Sequence, residues 1–500
     1  MQKAPPDDSF AKNALAYSGS NFLGQFLTLI KGFIVRRILP PEIMGFMNLM
    51  VALSGLAGTF DLGCISGAGR ELAMMHGRAE AEEPKRIRST TLWFTLVQNV
   101  LIGAGIILYV WWKHEHYSLE QSMATCVAAA VLVIGTFQMV YSTFISTAQA
   151  FVVLSKMLVL GSIVDGLCLP IFAYVWGLPG VMAATVITAC LICGIAVLAG
   201  RKMGQSAGRG FSLGTLKRLL SFGFFLRLVD YPNALLHMAS LLWVTRFMSI
   251  QDLALFSLAR SFFSQLTDIG TKVGTVYSMR YLHQNGLGVG KDVVSAQLKQ
   301  FLFFQLFVAV PLLSWVAGVL APFVVKLFIP KYSGSNQATI ILLICGFFYV
   351  LNSGLTNPWI LEKKLAARGV ASMAGLLFML SALSIPWFLF GSRTIESVAY
   401  STLTGYFLYF CYMVIAVGKG LWRTQDLIEI ILSVTAAAAW TLFILQKGYG
   451  SLENTGVFLK DLAGLSLMGG WTILALLPIP AYGLIRSGIS RGWYTGIDRV

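Results

Sequence analysis

Long apolar runs, broken by short polar stretches, recur along the whole chain. Fourteen are long enough to span a bilayer. They lie near residues 14–36, 44–66, 90–112, 121–146, 153–175, 178–200, 219–246, 251–278, 299–323, 336–358, 367–390, 395–418, 426–446 and 463–485. A membrane helix needs about 20 mainly apolar residues. In lipid, backbone N–H and C=O groups are satisfied only within helices or closed barrels, and runs of this length fit helices. The pattern predicts an all-α polytopic membrane protein with about 14 transmembrane helices. The connections are too short to hold a separate soluble domain.

Composition sharpens this picture. Of 500 residues, 56% are hydrophobic and 12% charged, against roughly 45–50% and about 25% in soluble domains. The formal charge of +15 raises the question of nucleic acid, but its distribution answers it. Of 37 Lys and Arg residues, 24 fall in the amino-terminal tail, the even-numbered loops and the carboxy-terminal tail, and nine fall in the odd loops. That bias places both termini in the cytoplasm. A basic cytoplasmic face meets anionic membrane lipids, so no nucleic acid partner is expected. The polar start, MQKAPPDDSFAKN, lacks the apolar core of a signal peptide. Cys190 and Cys193 stand three apart on an apolar helix with no further ligands evident, so no metal and no cofactor are expected.

Two internal echoes suggest duplication. Arg37-Ile-Leu-Pro-Pro-Glu-Ile-Met-Gly45 and Arg246-Phe-Met-Ser-Ile-Gln-Asp-Leu-Ala254 each close a span with Arg, turn through polar residues with an acid, and open the next span with a small residue. Tyr117-Ser118 followed by Gln121 and Thr125 is echoed by Tyr332-Ser333 followed by Gln337 and Thr339. The expected organisation is a tail (1–13), an N-lobe of six spans (14–200), a cytoplasmic linker (201–218), a C-lobe of six spans (219–418) and a two-span extension with its tail (419–500).

Ionisable groups inside spans are costly and mark interiors or watery cavities. Span 8 carries Ser257, Arg260, Ser261, Ser264, Asp268, Thr271, Lys272 and Thr275 on one polar stripe. Asp268 and Lys272 can pair at i,i+4, which leaves Arg260 in need of another anion. Span 7 carries Arg227, Asp230, Tyr231, Asn233 and His237, with Pro232 disturbing the ladder beside them. Span 1 carries Asn21, Gln25, Thr28 and Lys31, with Arg36 and Arg37 at its end. Each Arg–Asp combination fits either a structural ion pair or a cationic site for an anionic substrate, phosphate above all.

Enzyme motifs are weak. Gly286-Leu-Gly-Val-Gly-Lys291 lacks the spacing and the Ser/Thr of a phosphate-binding loop, and no His-Glu-x-x-His occurs. A membrane glycosyltransferase or polymerase would need a sizeable outer loop with catalytic residues. A transporter is therefore expected rather than an enzyme.

Several motifs together resemble the bacterial polysaccharide-repeat flippases of the Wzx type. Arg37–Gly45 resembles their Arg-x-Leu-Gly-Pro-Glu-x-aromatic-Gly signature, although Pro40 and Met44 depart from it. Asp61-Leu-Gly-Cys followed by Arg70-Glu71 resembles the end of their second span, and Phe256-Ser-Leu-Ala259 resembles their eighth. Lys331-Tyr332, Asn352 and Asn357 fit the pattern around their tenth.

The resemblance implies two pseudo-symmetric six-helix lobes around a central cavity, with the last two spans as an added pair. It implies alternating access and a polyprenyl-pyrophosphate oligosaccharide as cargo, moved across the bacterial inner membrane. Exopolysaccharide, capsule or O-antigen (lipopolysaccharide) assembly would be served, with a polymerase and chain-length or export proteins as possible partners. On this view Lys31, Arg37, Arg227, Arg260 and Lys272 meet the pyrophosphate, and Asn21, Gln25, Ser264 and Tyr231 line the cavity. Asp61, Asp230 and Asp268 serve ion coupling or salt bridges. A cation-coupled drug or metabolite antiporter of the same fold is the alternative.

Overall fold

The computed structural model describes residues 7–45, 62–75, 82–112, 119–148, 150–205, 210–265, 321–355, 365–391, 393–419 and 424–452, with a few single positions besides. Among these residues every extended element is helical: α1 (Asp7–Ile38), α2 (Cys64–Met75), α3 (Glu82–Trp112), α4 (Leu119–Thr147), α5 (Phe151–Lys202), α6 (Leu213–Phe247), α7 (250–265), α8 (Ala321–Phe328), α9 (Asn336–Leu355), α10 (Leu365–Leu389), α11 (Ile395–Gly418) and α12 (Thr424–Leu452). The chain is an all-α polytopic membrane protein. Six described helices are long and apolar enough to cross a membrane, or seven if the two parts of α6, bent by 47° after Phe225, count as one span. The expected spans 9 and 14, and most of span 2, lie outside the described residues.

The 52-residue α5 is two helices joined at a break. Gly177 breaks it with φ 60 and ψ −134, a left-handed conformation that costs glycine no Cβ clash. Gly161 then lies against Ile192, so the two arms fold back on each other. This agrees with the spans expected at 153–175 and 178–200. The second arm ends in a Schellman turn. Gly204 takes φ 68, its N–H donates to the Arg201 carbonyl, and the Gln205 N–H donates to the Gly200 carbonyl at 2.8 Å.

The two echoed junctions share a structure. α1 stops at Ile38 and helix resumes at Pro41; α6 stops at Phe247 and helix resumes at Ile250. Pro41 suits a first helical position, where its missing N–H is no loss. At the second junction a reciprocal cap does the same work. The Asp252 N–H donates to Ser249 Oγ at 3.1 Å, and the Ser249 N–H donates to Asp252 Oδ2 at 3.2 Å. Tyr117 and Ser118 of the other echo lie outside the described residues.

The chain divides into two compact units, Met1–Ala234 and Leu235–Val500. In the first, α1 and α4 pack on the α5 hairpin and α3 packs on α4. Its core gathers Cys64, Ala68, Ile87, Val140, Phe144, Ile145 and Leu219, all fully buried. In the second, α9 and α10 pack on α11. The most apolar window of α9 is 83% buried, against 22% for that of α3. α9 is thus an interior helix, and its polar side chains lie in the protein rather than in lipid.

Candidate functional site

In the first unit the mid-span cation has a partner. Lys31 Nζ on α1 forms an ion pair with Asp165 Oδ2 on the α5 hairpin. Both side chains are mostly buried, at 17% and 27% exposure, so the pair neutralises a charge that lipid would penalise. Sequence reasoning missed Asp165. As an acid in the middle of span 5 it carried a visible signal, but nothing local links residues 134 apart. Arg37 is exposed at the end of α1. Asn21 and Gln25 lie on the backbone of α1.

A second charged group closes the polar end of the same unit. Arg218 Nη2 lies 2.9 Å from Glu71 on α2 and 2.8 Å from Glu83 at the start of α3. The Arg70 guanidinium sits 3.9 Å over the Phe222 ring. Between them α2 and α6 touch backbone to backbone. Any Cβ on Gly63 or Gly223 would overlap the other residue's main chain. The buried Arg88 on α3 donates to the Gly204 carbonyl at 2.9 Å and to Gln205 Oε1 at 2.8 Å, which caps the α5 hairpin with a cation.

The second unit holds a different arrangement. Arg260 on α7 donates through Nη2 to the main-chain carbonyl of His237 on α6. Its guanidinium carbon lies 5.9 Å from the Phe263 ring centre. Among the described residues no carboxylate pairs with it. The His237 ring stands edge-on to Tyr349 of α9, with centres 4.3 Å apart. His237 Nδ1 shares a hydrogen bond of 2.8 Å with the Tyr406 hydroxyl of α11. Among the described residues its buried Nε2 has no partner. Asn352, one turn beyond Tyr349, is 4% exposed, and among the described residues neither polar atom of its amide has a partner. Side chains from α9 and α11 thus meet the His237 ring of α6, whose carbonyl receives the cation of α7.

The stripe expected on span 8 is only partly a presenting surface. Ser257 is buried and donates to the Ala254 carbonyl at 2.8 Å; Ser261 donates to the Ser257 carbonyl at 2.8 Å. Ser264 is exposed and donates to the Ser261 carbonyl at 3.0 Å. These hydroxyls are satisfied within their own helix. Arg227, Asp230 and Tyr231 are half-buried on α6. Asp61, Asp268 and Lys272 lie outside the described residues. His237 was noted from sequence only among the polar groups of span 7; Tyr349 and Tyr406 were not singled out, because aromatic residues in a membrane helix usually pack.

No family model and no curated protein sequence matches the chain. Solved structures do. The chain is similar to the lipid II flippase MurJ in an inward closed conformation, with a TM-score of 0.69 at 16% identity over 94% of this chain and 99% of that one. It is also similar to a multidrug resistance MATE family transporter of the MOP superfamily. The inward-facing structure gives a TM-score of 0.65 at 14% identity over 81% of this chain and 96% of that one. The outward-facing structure gives 0.58 at 15% identity, covering 83% and 97%. These neighbours are transporters and flippases rather than enzymes. At such low identity, what the likeness establishes is the fold: the chain is built as a multi-pass membrane protein with the helical architecture that MurJ and these MATE transporters share.

Proposed function

We propose that the protein is a flippase that moves polyprenyl-pyrophosphate-linked oligosaccharide repeat units across the bacterial cytoplasmic membrane, by alternating access, for surface polysaccharide assembly. One observation carries this reading. Arg260 carries a guanidinium, which stays charged in proteins, and its partners among the described residues are the His237 carbonyl and the Phe263 ring. An uncompensated guanidinium in a low-dielectric interior attracts an anion, and its planar fork fits phosphate oxygens. Lys31, in contrast, is already neutralised by Asp165. The fold shared with a lipid II flippase supports a lipid-linked cargo. Arg37, Arg227 and Lys272 are further proposed contacts for the pyrophosphate, and Asn21, Gln25, Ser264 and Tyr231 for the sugars. Asp61, Asp230 and Asp268 are proposed for coupling or pairing. Both termini are assigned to the cytoplasm on the charge bias of the loops.

The fold is equally compatible with drug or metabolite antiport. A cationic cargo would be repelled by Arg260, which favours the anionic one. The test is deletion of the gene, complementation by Arg260→Ala and Arg260→Lys, and measurement of the leaflet in which lipid-linked oligosaccharide accumulates. Arg260→Ala should lower translocation by about tenfold or more, the usual scale for losing a charge-assisted contact, while the purified variant stays folded. Arg260→Lys should retain part of the activity. Full complementation by Arg260→Ala overturns the assignment.

A further inference from the structure

We infer that the joined ends of α6 and α10 form a binding site for the phosphate headgroup of an anionic phospholipid, one molecule of the leaflet that this end of the helices faces. The site does not depend on the cargo proposed above.

Two stretches far apart in sequence build it. Trp243 and Phe247 stand one turn apart on α6, with ring centres 4.7 Å apart. α10 is long and apolar enough to cross a membrane, and Trp387 and Phe388 lie in its last turn. Phe247 lies 5.6 Å from Trp387 and 6.3 Å from Phe388, and Trp243 lies 6.1 Å from each. Two cations adjoin this ring cluster. The Arg246 guanidinium carbon is 5.8 Å from the Phe247 ring centre, and that of Arg393 is 5.8 Å from the Trp387 ring centre. Both distances are within cation–π range. Local structure sets Arg393 there. Gly391 takes φ 64, which turns the chain after α10, and Thr394 then caps α11 by accepting from the Ser397 N–H at 3.2 Å. Arg393 is thus held in a short turn between two helices.

Both arginines are exposed, and among the described residues no carboxylate pairs with either. The acids nearest in sequence do not serve. Asp252 is engaged by the Ser249 cap, and Glu396 pairs with no cation among the described residues.

Arg246 and Arg393 belong to the odd loops, which hold nine of the 37 Lys and Arg residues. Membrane proteins carry fewer cations on their outer side, so two that share one aromatic surface there call for an anion. The order of chemistry along the helices says which. Cations lie at the loop end and aromatic rings come next. Ile385 and Leu377, on the same face of α10 as Phe388, are exposed and aliphatic further down. A phospholipid presents its phosphate, ester backbone and acyl chains in the same order. The guanidinium fork fits phosphate oxygens. A zwitterionic headgroup brings its own ammonium to the same place, which opposes binding. On the loop-charge bias, the leaflet is the outer one.

The test adds lipid to the delipidated full chain in detergent and counts bound molecules by native mass spectrometry. The probes are phosphatidylglycerol, phosphatidylcholine with the same acyl chains, and soluble glycerol phosphate. The first phosphatidylglycerol should bind about tenfold or more tighter than phosphatidylcholine, the scale of one hydrogen bond to a charged group. Arg246→Gln with Arg393→Gln should abolish that preference, and Arg246→Lys with Arg393→Lys should keep part of it. Arg201→Gln with Lys202→Gln, which removes the same charge from the exposed end of α5, should leave it intact. Thermal unfolding checks that each variant is folded. Equal affinity for the two lipids, or a preference that survives the Gln pair at 246 and 393, overturns the site. So does an equal loss in both charge-matched pairs, which would report net charge alone. Glycerol phosphate binding as tightly as the lipid, or a prenyl-pyrophosphoryl sugar displacing it mole for mole, would give the site to a free anion or to the cargo and overturn the phospholipid assignment.

Discussion

At the scale of single residues, two cations inside apolar helices have different surroundings. Lys31 is matched by Asp165, and Arg260 leans on a neutral carbonyl oxygen and the Phe263 ring. The distinction yields a stability prediction. Lys31→Met or Asp165→Leu alone strands a charge in a mostly buried position and should cost about 1–3 kcal/mol, between the values for exposed and buried pairs. The double replacement should recover most of it. Thermal unfolding of the detergent-solubilised variants checks this; a double variant no better than the singles would mean the pair is incidental. Sequence alone located both cations, because a charge inside an apolar run stands out in any window. It did not reveal which one is compensated. That depends on a side chain 134 residues away, and no local pattern encodes such a pairing. His237 was visible as a polar residue of span 7, but the free edge of its ring exists only once α9 and α11 are packed around it.

Among the elements, glycine decides how closely helices approach. Gly63, at φ 87, and Gly223 bring α2 and α6 into main-chain contact, where added carbons have no room. Gly223→Val should therefore cost several kcal/mol by overpacking and should sharply lower the yield of monodisperse protein on size-exclusion chromatography. Gly166→Ala is the contrasting case. Nothing lies within 4 Å of its added carbon, and alanine is the better helix former by about 1 kcal/mol. Its melting temperature should be unchanged or slightly raised. The helix boundaries themselves were largely legible. The polar turn with an acid that holds the Ser249–Asp252 cap was read from the sequence, and the turn at Gly177 fell between two apolar runs. The close contact of Gly63 with Gly223 was not legible, since 49 glycines are scattered through the chain and only packing shows which are irreplaceable.

Taken as a whole, the molecule is an alternation of spans whose direction was inferred from loop charge. The hairpin makes that inference testable. If α5 crosses twice, a reporter inserted at Gly177 faces outside and one inserted at Gly204 faces the cytoplasm. Paired alkaline phosphatase and fluorescent-protein fusions should give opposite signals at the two sites. Equal signals would mean that 151–202 does not cross as two spans. The all-helical class was readable because apolar length alone separates a membrane helix from every soluble element. The identity of the cargo is less readable, because the same architecture serves proteins named for lipid and for drug transport.

The Lys31–Asp165 pair also constrains how the protein is made. The ammonium on the first helix leaves the ribosome well before its counter-ion does. At roughly 5–20 residues per second, the 134 residues from Gly32 through Asp165 take about 7–27 s to synthesise. Throughout that interval the first helix carries an unbalanced charge and is a poor candidate for early release into lipid. Nascent chains truncated before Asp165 should remain crosslinkable to the insertion machinery through α1, and a Lys31→Leu chain of the same length should have partitioned away.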